Sequence, residues 1–166
     1  MATSTYDLLD SVTLTSSANS ITFSGIDQSF QDLSLVFDFP AIAVNQFQIN
    51  VWLKFNNSAT GYYYATLRGN GSTAAANTGN NSQQIQSNQA TYTENDLYMG
   101  KFDIFDYSQV NRFKSFMYKS GAYPAANMSS GAGSWHSTAA ITQIQVFTPA
   151  YNYPVGTTAK LFGIAG

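Results

Sequence analysis

The sequence predicts an all-β protein, an antiparallel β-sandwich of the jelly-roll type with eight to nine strands, on three observations. Apolar and polar residues alternate at a period of two in short runs. No stretch of eleven or more residues carries an apolar stripe at helical spacing. Clusters of Ser, Asn, Gly and Pro punctuate the runs. Short strands with one apolar face each are satisfied when two sheets pack face to face. The chain has 166 residues, enough for a single sandwich domain over 1–166.

The first runs lie near residues 6–14 and 20–24. In LSLVFDF, Leu33, Leu35, Phe37 and Phe39 share one side, and Pro40 ends the run because it has no N–H to donate to a ladder. QINVWLKFN is the plainest case, with Ile49, Val51, Leu53 and Phe55 on one face and Asn50, Trp52, Lys54 and Asn56 on the other. Further strands are expected near 62–68, 97–105, 113–120, 140–148 and 158–164. Residues 69–95 read GNGSTAAANTGNNSQQIQSNQATYTEN, with Ile85 and Tyr92 as the main apolar anchors. That segment is expected to be one long polar surface loop, an arm suited to gripping a neighbour in an assembly.

Composition narrows function. Seven Lys plus Arg against nine Asp plus Glu give a net charge of -2, and no basic block argues for nucleic acid as a partner. Only 10% of residues are charged, against about 25% in an average soluble domain. With a 15% aromatic share, that balance fits a protein packed into a permanent assembly, where each buried charge is costly. The absence of cysteine excludes disulfides, thiolate zinc sites and Cys nucleophiles. With a single histidine besides, no metal and no cofactor are expected. Residues 1–20 show neither a basic start nor a signal-like apolar run, so folding in the cytoplasm is expected, and no run approaches the length of a membrane-spanning helix. No heptads or fibrous repeats provide a shaft.

Each constellation able to carry chemistry has a plainer structural reading. His136 is the one imidazole, and no nucleophile-elbow pattern accompanies it, so it reads as a partly exposed ring at the start of a strand. Asp103 with Asp106, or Glu94 with Asp96, supply the residue types of a glycosidase pair, but alternation puts Asp103 and Asp106 on opposite faces. Arg68, Gly69, Asn70, Gly71 and Ser72 lack the Lys and helix of a phosphate loop and read as a hairpin turn, with Asn-Gly signalling type I′. Sequons at Asn56, Asn70, Asn80 and Asn127 follow from an Asn- and Ser-rich composition. Trp52, Tyr62, Tyr63, Tyr64, Tyr107, Tyr151 and Tyr153 would suit sugar stacking if exposed together. No catalytic, cofactor-binding or metal-binding residue is assigned.

Three segments, Leu67 to Thr73, Lys101 to Phe116 and Ser130 to Phe147, together with Tyr6 to Ile26 and Ala159 to Ile164, resemble a family of small virion proteins of tailed bacterial viruses, including cyanophages. The most distinctive run is Trp135 to Thr142, in which relatives carry Arg where this chain has His136. The resemblance implies a non-catalytic jelly-roll-like module used in capsid cement proteins and in tail or fibre tips. Cement is the better match for a chain without a shaft, and shell geometry then implies a homotrimer whose partner is the major capsid protein on the virion surface. The alternative is a tail-associated receptor-binding knob that reads host-surface glycans.

Overall fold

Alternation in the sequence becomes two-faced strands, and the strands carry the whole architecture. A computed structural model describes residues 5–40, 49–90, 97–123, 127–149 and 151–166. It contains twelve strands and no helix among these residues: β1 (Tyr6–Thr13), β2 (Ser20–Ser24), β3 (Asp32–Phe39), β4 (Ile49–Phe55), β5 (Tyr62–Gly69), β6 (Ala74–Ser82), β7 (Ile85–Ala90), β8 (Leu97–Phe105), β9 (Lys114–Tyr123), β10 (Asn127–Trp135), β11 (Gln143–Phe147) and β12 (Thr158–Ile164). They form an eight-stranded sheet in the order β1-β12-β3-β8-β9-β10-β5-β6 and a four-stranded sheet in the order β2-β11-β4-β7. Every pairing is antiparallel. The all-β sandwich expected from the sequence is the fold observed.

The connectivity is that of a jelly roll with additions. β1 pairs β12, β2 pairs β11, β3 pairs β8 and β4 pairs β7, the nested pairing of one long hairpin rolled into two sheets. The hairpin β5–β6 is inserted between β4 and β7, and the hairpin β9–β10 between β8 and β11. The two insertions join through β10 and β5 and attach to β8 through β9. They double the width of one sheet and leave the other at four strands.

Two expectations are corrected here. The strands among the described residues number twelve rather than eight or nine, and residues 69–90 are not one polar loop, because β6 and β7 within them are paired; residues 91–95, with Tyr92, lie outside the described residues. β6 reads AAANTGNNS and is nearly all exposed, so it is held by its backbone ladder to β5 rather than by a buried face. Ile85, fully buried, anchors β7. β10, also unforeseen, replaces inward apolar side chains with Gly131 and Gly133, where a Cβ would strike the rings of Tyr118 and Phe116. Neighbouring aromatics fill the space, and the apolar alternation disappears from the sequence.

Between the sheets lies an aromatic core. Leu33, Leu35, Phe37 and Phe39 of β3 all point inward, as do Val51, Leu53 and Phe55 of β4. Phe37 packs 5.8 Å from Tyr98 and 5.9 Å from Phe102 between ring centroids, and Phe55 lies 5.7 Å from Trp135. Tyrosine hydroxyls clasp the sheets together. The Tyr62 hydroxyl accepts from the Phe55 N–H at 2.7 Å, and the Tyr118 hydroxyl donates to the Gln86 carbonyl at 3.2 Å and pairs with Thr66. Burial pushes both phenols up to about 12.

Candidate functional site

The residues singled out for chemistry take structural roles. Asp103 lies on the outward side of β8, pairs with Lys101 at 2.9 Å and accepts from the Ser34 hydroxyl at 2.9 Å. Asp106 follows the strand in the left-handed region at φ 55° and pairs with Arg112 at 3.1 Å. Each carboxylate is thus held by a cation of its own, and they do not form an acid–base pair. Glu94 and Asp96 lie outside the described residues. His136 follows β10, so it leaves a strand rather than opening one. Its exposed ring is stacked between Tyr63 at 4.0 Å and Phe113 at 4.6 Å. Residues Asn70 to Thr73 do form the β5–β6 turn, but only Gly71 has positive φ, so the turn is not type I′. The Asn70 side chain holds it, accepting from the backbone N–H groups of Ser72 and Thr73 at 3.1 and 2.8 Å.

The tyrosine set proposed for sugar stacking is dispersed. Tyr62, Tyr64, Tyr107 and Tyr153 are buried in the core. Trp52 lies on the outer side of β4 against Phe147, Tyr63 stands on the opposite sheet, and Tyr151 is in a loop. Among the described residues no cluster of three or more potential metal ligands occurs.

Two positions had no signal of chemistry in the sequence. Asn56, read from the sequence as an outward strand position and a sequon, adopts φ 50° and ties the β4 turn to the start of β11: its amide donates to the Ala140 carbonyl at 2.7 Å while its oxygen accepts from the N–H groups of Thr142 and Gln143 at 2.9 and 3.1 Å. Lys114 is fully buried and donates to the carbonyls of Arg112 and Thr138 at 2.9 and 3.3 Å. Burial holds its ammonium below the usual range.

What stands out as a surface is the outward face of the eight-stranded sheet. Leu8, Val36, Leu67, Leu97, Met99, Met117 and Met128 all project from it, with Met99 68% and Met128 62% exposed. All the described methionines of the chain are in this group. Cross-strand register explains the clustering: Met99 sits opposite Gly121, and Gly121 opposite Met128, so two methionines flank a residue without a side chain. Over them opens a groove of about 670 Å³ bordered by Val36, Met99, Lys101, Lys119, Gly121 and Met128. One register row along, Lys160, Val36, Lys101 and Lys119 follow one another across four strands. Lys101 is paired with Asp103 and lies 5.9 Å from the Tyr6 ring. Asp38, the other carboxylate near the groove, accepts from the Thr158 hydroxyl. The outward face of the four-stranded sheet is different, offering Thr22, Gln145 and Lys54, with Lys54 lying over the Phe147 ring at 5.0 Å.

Comparisons with known proteins supply no family. No protein-family model matches the chain, and no curated protein matches it. Among solved structures, the chain is similar to a marine PL-14 alginate lyase from Aplysia kurodai at 8% identity, with 84% of this chain and 71% of the lyase covered and a TM-score of 0.34. It is also similar to a protein of unknown function from Shewanella oneidensis MR-1 at 9% identity, with 99% of this chain and 78% of that one covered and a TM-score of 0.25.

Proposed function

We propose that this chain is a structural protein of a bacterial virus particle, a capsid cement protein that binds the assembled shell as a homotrimer and performs no catalysis. The observation that supports this reading is the exposed apolar cluster of Leu97, Met99 and Met128 on the outward face of the eight-stranded sheet. Exposed contiguous apolar surface is rare on monomers and marks sites that meet a partner, and methionine is enriched at such contacts. Binding only to the assembled shell stabilises that state by mass action, and three copies of one face, symmetrically arranged, add their weak contacts. The test is direct: light scattering of the purified protein should give the mass of a trimer, and its addition should raise the bursting temperature of stripped capsids. A monomer without effect on the capsids refutes the reading.

A receptor-binding knob on the tail is the second reading, favoured by the surface stack of half-buried Tyr63 with exposed His136 and Phe113, whose outermost ring, Phe113, is suited to packing on a sugar. Antibody labelling of intact particles separates the two, with signal over the head for cement and signal at the tail for the knob.

A further inference from the structure

We propose that the groove over β9 is a docking site for an extended segment of a partner protein that presents an apolar residue, a carboxylate and a second apolar residue at alternate positions. This rests on the reading of the chain as an assembly protein and names the contact through which it assembles.

The floor of the groove is the first argument. Gly121 does not have a positive φ, and a Cβ there would meet nothing closer than the Asn127 carbonyl oxygen at 3.6 Å. By contrast Gly100, which faces the core, would drive a Cβ into the Phe37 ring. Packing therefore explains glycine at 100 and leaves it unexplained at 121, where its effect is to keep the space between Met99 and Met128 open. Strands lie about 4.8 Å apart, so the two methionines are separated by roughly 10 Å, the width of one extended chain with its side chains.

Charge selects the occupant. Three lysines, Lys101, Lys119 and Lys160, face outward beside the groove, and Lys101 and Lys119 are directly opposite each other, an unfavourable placement for like charges. The nearby carboxylates Asp38 and Asp103 are already engaged by Thr158 and by Ser34 and Lys101. Lys119 and Lys160 have no acidic partner among the described residues. A second copy laid face to face would add lysines to lysines, so a segment bearing a carboxylate fits better.

Register sets the spacing. Gly121, Lys119 and Met117 follow one another on the outer side of β9 at intervals of about 6.7 Å, the repeat of alternate residues on any strand. A partner strand lying along β9 thus brings an apolar side chain over Gly121, a carboxylate to Lys119 and an apolar side chain over Met117.

The test uses the intact protein labelled with ¹³C at its methionine methyl groups and a capped Leu-Ser-Asp-Ser-Leu peptide, with Leu-Ser-Lys-Ser-Leu as the counterpart. The acidic peptide is expected to shift the methyl signals of Met99, Met117 and Met128, and to bind about tenfold or more tightly than the basic one. Gly121→Leu, which fills the groove where space is open, is expected to abolish the shifts while the amide spectrum stays that of the folded protein. Lys119→Glu is expected to reverse the preference. Equal response to both peptides, or shifts unchanged in Gly121→Leu, overturns the proposal. So do signals that move with protein concentration alone and stop doing so in Gly121→Leu, because the face is then covered by a second copy. If the peptide fails while the protein still protects capsids, this groove is wrong and the cement reading stands. If the peptide binds and capsids are untouched, the reverse holds.

Discussion

The two outward faces of this sandwich share one core but differ in how far they leave large apolar side chains open. Among the described residues, the outward face of the four-stranded sheet sets Thr22 beside Gln145 across β2 and β11 and packs Trp52 against Phe147 beneath Lys54, all but Thr22 half-buried. The eight-stranded sheet leaves methionine, leucine and valine side chains open to solvent beside the outward lysines Lys101, Lys119 and Lys160. That difference follows from the insertions, since β5, β6, β9 and β10 widen only one sheet and bring Leu67, Met117 and Met128 with them. A jelly roll needs eight strands to close its core. The four added ones build area, and that area sets Leu67, Met117 and Met128 among polar neighbours such as Lys119 and the residues of β6.

Substitutions that strike the core shared by both faces have the largest expected effect. Phe37→Ala should cost about 3 to 5 kcal/mol and leave little folded protein in a urea titration, because Phe37 is fully buried against Tyr98 and Phe102. Next comes alkaline pH. Tyr62 and Tyr118 ionise near 12 when folded against 10.0 for the free phenol, so their contribution is intact below pH 10 and is lost as pH rises from 10 through 12. Ionisation of each weakens the clasp between the sheets by about 2 to 3 kcal/mol, and circular dichroism against pH should show cooperative unfolding in that window. On the small-sheet side, Asn56→Ala should lower stability by about 1 to 3 kcal/mol, because it leaves the start of β11 without its amide partners. The smallest stability effect belongs to the open face: Met99→Ser with Met128→Ser should change the unfolding midpoint by less than about 1 kcal/mol, both being largely exposed.

Much of the sandwich is legible in the sequence because burial enforces alternation. Leu33 to Phe39 and Val51 to Phe55 turn the same residues inward that their spacing predicts. The inserted strands are hidden for physical reasons. β6 buries no face, so its nine residues carry no apolar period. In β10 the core is filled by rings from β9, and glycine stands where an apolar side chain would have announced a strand. The open face is illegible for a third reason. In LYMGKFDIF of β8 both sides contain apolar residues, and spacing alone cannot tell that Tyr98, Phe102 and Ile104 point inward while Leu97 and Met99 face solvent. The tyrosines were misleading as a group, since adjacent positions on β5 point to opposite faces and only Tyr63 of Tyr62, Tyr63 and Tyr64 turns outward. The partnership of Asn56 with residues 84 and more positions away has no local signal at all.

The central claim is that the wide sheet, not the narrow one, meets the partner. Sedimentation of the protein with stripped capsids tests it most directly, comparing the Met99→Ser and Met128→Ser double variant with Thr22→Ala and Gln145→Ala on the opposite face. The account predicts that the methionine variant stays folded and remains in the supernatant while the control sediments with the shells. Equal sedimentation of both variants, or loss confined to the control, would contradict it.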